Sequence, residues 1–428
     1  MDTIFAQATA PGRAGVSVVR LSGPDALEIA AQISGPVPNA RVAGLRYIKN
    51  SVGEVIDQAL VLSFVGPNSF TGENVVEFHL HGSIAVVRAV LDQLGQFPNA
   101  RLAEPGEFTR RALENEKMDL AQVEGLGDLI EAETEVQRKQ AFRVLSGDLG
   151  QLVESWRRDL IRAAALLEAT IDFADEDVPV DVTPEVMVLL AGVRTQIARE
   201  VKGTKVAERI KIGFEVAIIG APNAGKSTLL NALAGRDAAI TSEVAGTTRD
   251  IIEVRMDLGG VPVTLLDTAG LRESDDSVEV IGINRAIDRA KNADLRIFLA
   301  DPEDILMVSP VDGDVVVAPK VDLLRIGSAG VSGKTGAGIP ELISRVQSIL
   351  TEKASSVGLA THLRHRQSLE KAEGYLDAAA EVLDRGPDHY DIAAEELRSA
   401  IRALEALVGR IDVENLLDEI FANFCLGK

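Results

Sequence analysis

A glycine-rich segment in the middle of the chain has the residue types and spacing that bind nucleotide phosphates. It runs from Gly220 to Ser227 and reads GAPNAGKS, with the apolar run Phe214–Ile219 before it and the helical run Thr228–Leu233 after it. Glycines let backbone N–H groups surround phosphate oxygens, and the start of a helix adds a favourable dipole. We therefore expect Lys226 to reach the β- and γ-phosphates and Ser227 to bind Mg²⁺.

Two further segments complete this prediction of a phosphate-loop hydrolase. Val263–Gly270 is an apolar run that ends in Asp-x-x-Gly, so Asp267 is expected to hold the water shell of magnesium and Gly270 to donate its N–H to the γ-phosphate. Between this segment and the phosphate loop lies Gly246–Asp250, in which a threonine hydroxyl is expected to complete the magnesium shell.

The base is predicted to be guanine. The run Val315–Ala318 is followed by Pro319-Lys320-Val321-Asp322, where Asp322 is placed to accept from the guanine N–H groups, although Pro319 has no side-chain amide. The later run Ser332–Gly336 is expected to present a backbone N–H to the guanine carbonyl. Adenine is the alternative, but it would leave Asp322 without a donor pair.

The residue that orients the attacking water is less obvious, because Leu271 follows the Asp-x-x-Gly run where many GTPases have glutamine. Glu279, at the start of a predicted helix, is either a base that orders water or a solvated helix-start carboxylate. Asn223 either coordinates a monovalent cation beside the β/γ bridge or makes a hydrogen bond within the loop.

The pattern of apolar residues predicts an α/β multidomain protein. Residues 1–118 are predicted as a mixed α/β domain, residues 119–210 as the first part of a helical domain, residues 211–352 as a nucleotide hydrolase with a doubly wound parallel sheet, and residues 353–428 as the second part of the helical domain. Helices on both sides of the α/β unit indicate an inserted domain; two independent helical domains are the alternative.

The composition indicates a soluble cytoplasmic protein. The net charge of −21 argues against a strongly basic nucleic-acid coat. A single cysteine, Cys425, excludes an intramolecular disulfide. No apolar run approaches the ~20 residues that cross a bilayer, and no signal peptide or membrane association is expected.

Several short motifs resemble one family over nearly the whole chain. Near the N-terminus they are Asp2–Ile4, Ala6–Thr9, Gly12–Gly15, Arg20–Gly23, Phe70–Glu73, Glu77–Gly82 and Pro105–Ala112, and the chain ends in Phe424-Cys425-Leu426-Gly427-Lys428. With the phosphate loop, these motifs resemble the MnmE (TrmE) family of tRNA-modifying GTPases.

The resemblance implies a folate-binding N-terminal domain and a helical domain with an inserted GTPase. It also implies a homodimer that works with the flavin-dependent partner MnmG (GidA), as a heterotetramer or larger assembly, on the wobble uridine of tRNA. A tetrahydrofolate derivative of the 5-formyl or 5,10-methylene type would supply one carbon of a (carboxymethyl)aminomethyl-type group at carbon 5.

The resemblance also assigns residues. Glu279 would order the attacking water and Cys425 would take part in modification chemistry; Asn223, Ser242, Val244 and Thr247 would hold K⁺; Ser227 and Thr248 would hold Mg²⁺; and Arg20, Glu77, Lys117 and Lys428 would contact folate. The full set expected at GTP is Asn223, Ala224, Gly225, Lys226, Ser227, Thr228, Ser242, Glu243, Val244, Ala245, Gly246, Thr247, Thr248, Asp267, Thr268, Ala269, Gly270, Lys320, Asp322, Ser332, Gly333 and Lys334.

Some of these assignments have alternatives. Arg20 and Glu77 also suit a structural ion pair, and Cys425 also suits an inert thiol. Glu116 precedes Lys117 where the family usually has glycine. For the chain as a whole, the alternatives are a potassium-stimulated regulatory GTPase of ribosome assembly and a scaffold that binds nucleotide without turnover.

Overall fold

The computed structural model describes residues 2–172, 181–221, 223–235, 253–267, 288–300, 308–323, 330–355, 357–410, 420–421 and 427. By its internal contacts the chain divides into two units, residues 1–127 with 405–428 and residues 128–404. None of the described helices is both long enough and apolar enough to cross a membrane.

The first unit is built on a six-stranded sheet in the order β3-β4-β5-β2-β1-β6. The strands are β1 Thr3–Gln7, β2 Val16–Ser22, β3 Gly44–Lys49, β4 Val55–Phe64, β5 Val75–His81 and β6 Ala100–Leu102. Neighbouring strands are antiparallel except for β1 and β6. The described helices α1 Ala26–Ser34, α2 Ile84–Leu94 and α3 Glu107–Glu114 lie within this unit. Helix α4, Leu120–Glu131, begins in this unit and ends in the second one.

Alternation along the strands places the two faces of this sheet in different surroundings. In β2, Val19 and Leu21 are buried with Phe78 of β5 and with the apolar sides of α1 and α2. Because successive side chains point to opposite faces, Arg20 and Glu77 lie on the other face. A smaller buried cluster that includes Phe108 of α3 covers part of that second face.

The second unit combines a helical group with a second sheet. Its helices are α5 Glu135–Leu145, α6 Asp148–Asp172, α7 Thr183–Ile212, α8 Lys226–Ala234, α9 Ile339–Ala354, α10 Leu363–Leu383 and α11 Tyr390–Leu407, the last of which continues into the first unit. Helix α7 packs against α6 and against α10, so helices from before and after the second sheet lie together.

The first part of the predicted helical domain, residues 119–210, contains two breaks between its first three helices. The first lies before Thr134, whose side chain forms a reciprocal capping box with Gln137 and so starts α5. The second lies at Gly147, which has φ 88° and separates α5 from α6. Both breaks are local turns that leave the helical character of the region unchanged.

The second sheet has the order β11-β10-β7-β9-β8. Its strands are β7 Phe214–Gly220, β8 Glu253–Leu258, β9 Val261–Asp267, β10 Leu295–Leu299 and β11 Val315–Val317. The sequence predicts a parallel sheet, but β8 is antiparallel to β9. The reason is the two-residue turn Gly259–Gly260, in which both residues have positive φ and return the chain directly along β9.

The position of β7 in this sheet determines where a ligand can bind. Its neighbours β9 and β10 lie on opposite sides and are both parallel to it. In a sheet of this kind, ligands bind outside the carboxyl ends of the strands, at the point where the order of the strands reverses, which here is the carboxyl end of β7. The segment at that end is the glycine-rich one, Ala221–Gly225.

Candidate nucleotide-binding site and a second polar site

The phosphate loop connects the buried strand β7 to the exposed start of α8. Gly225 caps α8 with φ 99°, and Asn223 also has positive φ, at 64°. Asparagine and glycine tolerate this left-handed conformation, and Ala224 between them donates its N–H to Ala221 O at 3.1 Å, which closes the turn. Gly220 also has to be glycine, because a Cβ there would lie 2.6 Å from the carbonyl oxygen of Leu299.

Lys226 lies across this loop. Its side chain is buried, and Nζ donates to the carbonyl oxygens of Gly220 at 2.9 Å and Ala221 at 3.1 Å. Ser227 and Thr228 follow it as exposed residues of the first turn of α8. An ammonium group and the N-terminus of a helix together attract anions, so the arrangement suits a polyphosphate.

The two segments predicted to recognise the base lie beside each other. Val331 donates its N–H to Ala318 O and accepts from the N–H of Val321, and these bonds place Pro319 opposite Val331. Neither bond needs an N–H from Pro319, which explains why proline fits there. Lys320 has φ 54°, and Asp322 lies in the 3₁₀ turn Val321–Leu323.

Gly333 lets the second of these segments pack against α8, the helix that follows the phosphate loop. A Cβ on Gly333 would lie 2.7 Å from Leu229 N and 2.7 Å from the carbonyl group of Thr228. The Ser332–Lys334 loop is therefore packed directly on the first turn of α8. Ser332 is 2% exposed, and its hydroxyl accepts from the N–H of Thr335, which holds the turn closed.

Of the remaining residues predicted at the nucleotide and its metal ions, the structure describes Asp267. Asp267 is the last residue of β9 and is in register with Ile218 of β7, one strand away from the phosphate loop. Ser242–Thr248, Thr268–Gly270 and Glu279 lie outside the described residues.

A second polar site lies on the open face of the first sheet. Arg20 and Glu77 are directly opposite each other on β2 and β5, and the Arg20 guanidinium contacts Glu77 Oε1 at 2.9 Å. Their side chains are 20% and 15% exposed. Arg20 also lies 5.5 Å from the ring centre of Phe70 and 5.7 Å from that of Phe108. The structural ion pair expected as the alternative for these residues is thus present, and its outer edge is accessible.

The side chain of Lys117 lies against Gly72. A Cβ on Gly72 would lie 3.0 Å from Lys117 Cε, so the exposed lysine crosses the backbone of the Phe70–Glu73 segment. Glu116 has φ 55°, the left-handed conformation that costs a residue with a Cβ about 1–2 kcal/mol. That conformation explains why glycine suits this position.

A buried ion network near this site was not predicted from the sequence. Arg111 is 6% exposed and bonds to Glu73 at 3.1 Å, to Glu107 at 3.0 Å and to Asp2 at 3.2 Å. Burial acts to raise the pKa of Glu107, but the hydrogen bonds from Arg101 and Arg111 outweigh it and hold that pKa below its usual value. The i, i+4 spacing of Glu107 and Arg111 was the available sequence signal.

The end of the chain approaches the first strand. A Cβ on Gly427 would lie 2.1 Å from Gln7 O and 2.9 Å from Ala8 Cα, so only glycine allows this approach. Cys425 and Lys428 lie outside the described residues. Gly427 itself lies against the carboxyl end of β1.

Comparisons with known proteins agree along the whole chain. A family model described as the MnmE helical domain matches residues 120–425, and a model described as the GTP-binding protein TrmE N-terminus matches residues 3–117. The chain is 66% identical to the tRNA modification GTPase MnmE of Roseobacter denitrificans and 60% identical to that of Ruegeria sp., in each case over 100% of both chains. A solved structure of an Era variant from Aquifex aeolicus, bound to GDP and AlF4⁻, is 25% identical over 38% of this chain and 66% of its own, with a TM-score of 0.25.

Proposed function

The chain belongs to the MnmE family of tRNA modification GTPases, and we propose that its GTP hydrolysis drives a modification at carbon 5 of the wobble uridine of tRNA. The group added is of the (carboxymethyl)aminomethyl type, with one carbon supplied by a tetrahydrofolate derivative. The observation that carries the GTPase part of the proposal is the contact of the Ser332–Lys334 loop with the first turn of α8, which joins the predicted base and phosphate sites.

The phosphate loop binds the nucleotide in this proposal. Lys226 and the N–H groups at the start of α8 stabilise the charge that develops on the phosphate oxygens as water attacks the γ-phosphorus and GDP leaves. Asp322 accepts from guanine, and the Ser332–Lys334 loop donates a backbone N–H to its carbonyl. The remaining residues of the nucleotide set, among them residues 242–248 and 267–270, surround the phosphates and the metal ions.

Two cations belong to the same site. Ser227 is exposed at the second position of α8, where its hydroxyl suits Mg²⁺, and Thr248 is the proposed second ligand. Asn223, in its left-handed conformation at the loop, would hold K⁺ with Ser242, Val244 and Thr247. The cations would neutralise charge on the phosphates, while Glu279 orders and deprotonates the attacking water in place of the missing glutamine.

The ion pair on the first sheet is the proposed folate site. Arg20 offers N–H donors and Glu77 offers carboxylate acceptors at an accessible edge, and Phe70 and Phe108 lie beside the guanidinium. This donor set suits a planar ligand that carries both donors and acceptors. Lys117 and Lys428 would pair with its carboxylates, and Cys425 is the proposed group of the final motif that takes part in modification. The folate supplies a one-carbon unit when bound.

We further propose that the protein is a homodimer and acts with the flavin-dependent partner MnmG (GidA), as a heterotetramer or larger assembly, on tRNA in the cytoplasm. The net charge of −21 favours a partner that provides much of the tRNA contact. The proposed domains are residues 1–118, 119–210 with 353–428, and the inserted GTPase of residues 211–352. The packing of α10 on α7 supports the insertion.

The first test is GTP turnover by the full-length chain in potassium and in sodium buffer. We expect stimulation by potassium that is lost in Glu279→Ala and kept in the control Glu208→Ala, which changes an exposed glutamate of α7. Bound nucleotide without turnover in either salt would contradict the mechanism and indicate the scaffold alternative. Mass spectrometry of wobble nucleosides, after reaction with the partner and a folate, tests the modification itself.

A further inference from the structure

A polar cavity of about 560 Å³ lies where α4 and α5 meet the last turn of α7 and strand β9. Its wall includes the apolar side chains of Ile210 and Met256 and the charged side chains of Asp128 and Lys211. The volume is typical of sites that bind small molecules. None of the lining residues belongs to the nucleotide, metal or folate sets proposed above.

Two buried side chains of the cavity wall each have an oxygen with no hydrogen-bond partner among the described residues. They are Gln140 Oε1 on α5, in a residue that is 9% exposed, and Thr361 Oγ1 just before α10, in a residue that is 6% exposed. Buried polar atoms in folded proteins are almost always hydrogen-bonded to protein, water or ligand. These two oxygens therefore indicate a polar occupant that includes at least one donor.

The wall carries three carboxylates and two cations, and Asp128, the most buried of the carboxylates, is paired. Asp128 accepts from Lys211 Nζ at 2.7 Å and from His362 Nε2 at 3.0 Å. Burial acts to raise the pKa of Asp128, but these partners outweigh it and keep that pKa below its usual value, so the carboxylate is ionised and paired. The rest of the lining adds two carboxylates and one guanidinium. A phosphate or carboxylate ligand would lack the surplus of cations that it needs.

We propose that this cavity binds an uncharged molecule of nucleoside size. Its N–H or O–H groups donate to Gln140 Oε1 and Thr361 Oγ1, and its ring lies against Ile210 and Met256. An acceptor oxygen without a partner requires a donor, and the apolar wall requires an apolar surface. Asp128 is already paired and the other charged side chains of the wall are exposed to solvent, so the wall offers no buried, unpaired charge to an ionic ligand. The same helix, α7, continues through Gly213 into β7, so the ligand contacts the helix that leads into the strand of the phosphate loop.

The test is binding of adenosine and of uridine to the full-length chain, measured by isothermal titration calorimetry. The nucleotide site is first saturated with a non-hydrolysable GTP analogue, so that heat from that site does not contribute. We expect saturable binding of at least one nucleoside. Gln140→Leu and Thr361→Val should each weaken it about tenfold, the effect of one lost hydrogen bond. Thr195→Val, the same change at an exposed position of α7, should leave it unchanged.

Thermal unfolding without ligand separates loss of the site from loss of the fold. Thr361→Val removes an oxygen that has no described partner and keeps the side-chain shape, so its unfolding midpoint should equal or exceed that of the natural chain. Gln140→Leu provides a second, independent measurement if one variant does not fold. Absence of binding by both nucleosides, the result for a cavity filled only by water, overturns the proposal. Nucleoside binding that is unchanged by both Gln140→Leu and Thr361→Val also overturns the proposal.

Discussion

A single methyl group at Gly333 should weaken the binding of guanine nucleotides. A Cβ at this position would lie 2.7 Å from Leu229 N and 2.7 Å from the carbonyl group of Thr228. Non-bonded heavy atoms prefer separations of about 3.5 Å, so Gly333→Ala requires the loop to move by roughly 0.8 Å. The first turn of α8 cannot yield easily, because Leu229 is 1% exposed and belongs to the core of the second sheet.

That displacement is enough to remove one hydrogen bond. A bond of about 2.9 Å that lengthens by this amount exceeds the distance at which it contributes. Loss of one bond to a ligand in a desolvated site costs about 1–3 kcal/mol, which corresponds to roughly 5- to 150-fold weaker binding. Because both nucleotides carry the same base, we expect the same factor for GTP and for GDP.

The assay is titration of the full-length chain with fluorescently labelled GTP and GDP. Gly374→Ala in α10 is the matched control, because a Cβ there meets nothing within 4 Å. It should leave nucleotide affinity unchanged and stabilise the helix by about 1 kcal/mol. A folded Gly333→Ala protein with affinity within about twofold of the natural chain would refute the placement of this loop at the base. A loss confined to GTP would refute it too, since the γ-phosphate rather than the base would then be affected.

Four further changes have outcomes that the structure predicts. Pro319→Asn restores a side-chain amide beside Asp322 and should tighten GTP binding about fivefold in the same titration; weaker or equal binding would contradict the prediction. Glu116→Gly relieves a left-handed conformation at φ 55° and should raise the free energy of unfolding by about 0.5–1 kcal/mol in urea, whereas Glu116→Ala should not. Arg111→Met leaves buried carboxylates without their partner and should cost about 3–5 kcal/mol in the same measurement; a loss under about 1 kcal/mol would show that the network is dispensable. Burial raises the pKa of Asp294, so the folded protein disfavours its ionised form, and Asp294→Asn should raise the unfolding midpoint at pH 7. That gain should vanish as the pH falls through the raised pKa of the natural carboxyl group, and a gain that persists in acid would contradict the assignment.

Much of the nucleotide domain was predictable because its signals are local. The apolar run of β7, the glycines of the loop and the helical run of α8 follow from residue types within about fifteen positions. The antiparallel β8 was missed, although Gly259–Gly260 is a recognisable two-residue turn. Thr134 with Gln137 is likewise a recognisable helix start within the region predicted as the first part of the helical domain.

The first sheet shows a feature that local sequence patterns do not predict, the register of its strands. Alternation in β2 and β5 predicts that Arg20 and Glu77 face away from the apolar core. It does not give the register that pairs them, because register depends on how the whole sheet aligns. The tertiary structure decides that they are cross-strand neighbours. Their role toward folate stays a prediction.

The sequence by itself determined the family and the glycine-rich loop between β7 and α8, and it predicts the types of residue that recognise guanine, since these depend on backbone conformation and charge over short spans. Only the tertiary structure decided which distant groups meet. Asp128 and His362 are 234 positions apart and share a hydrogen bond. Arg111 bonds to Asp2 and to Glu73, which are 109 and 38 positions away. Such contacts arise from burial of separate apolar faces against one another, and burial brings polar groups together in combinations that no local spacing encodes.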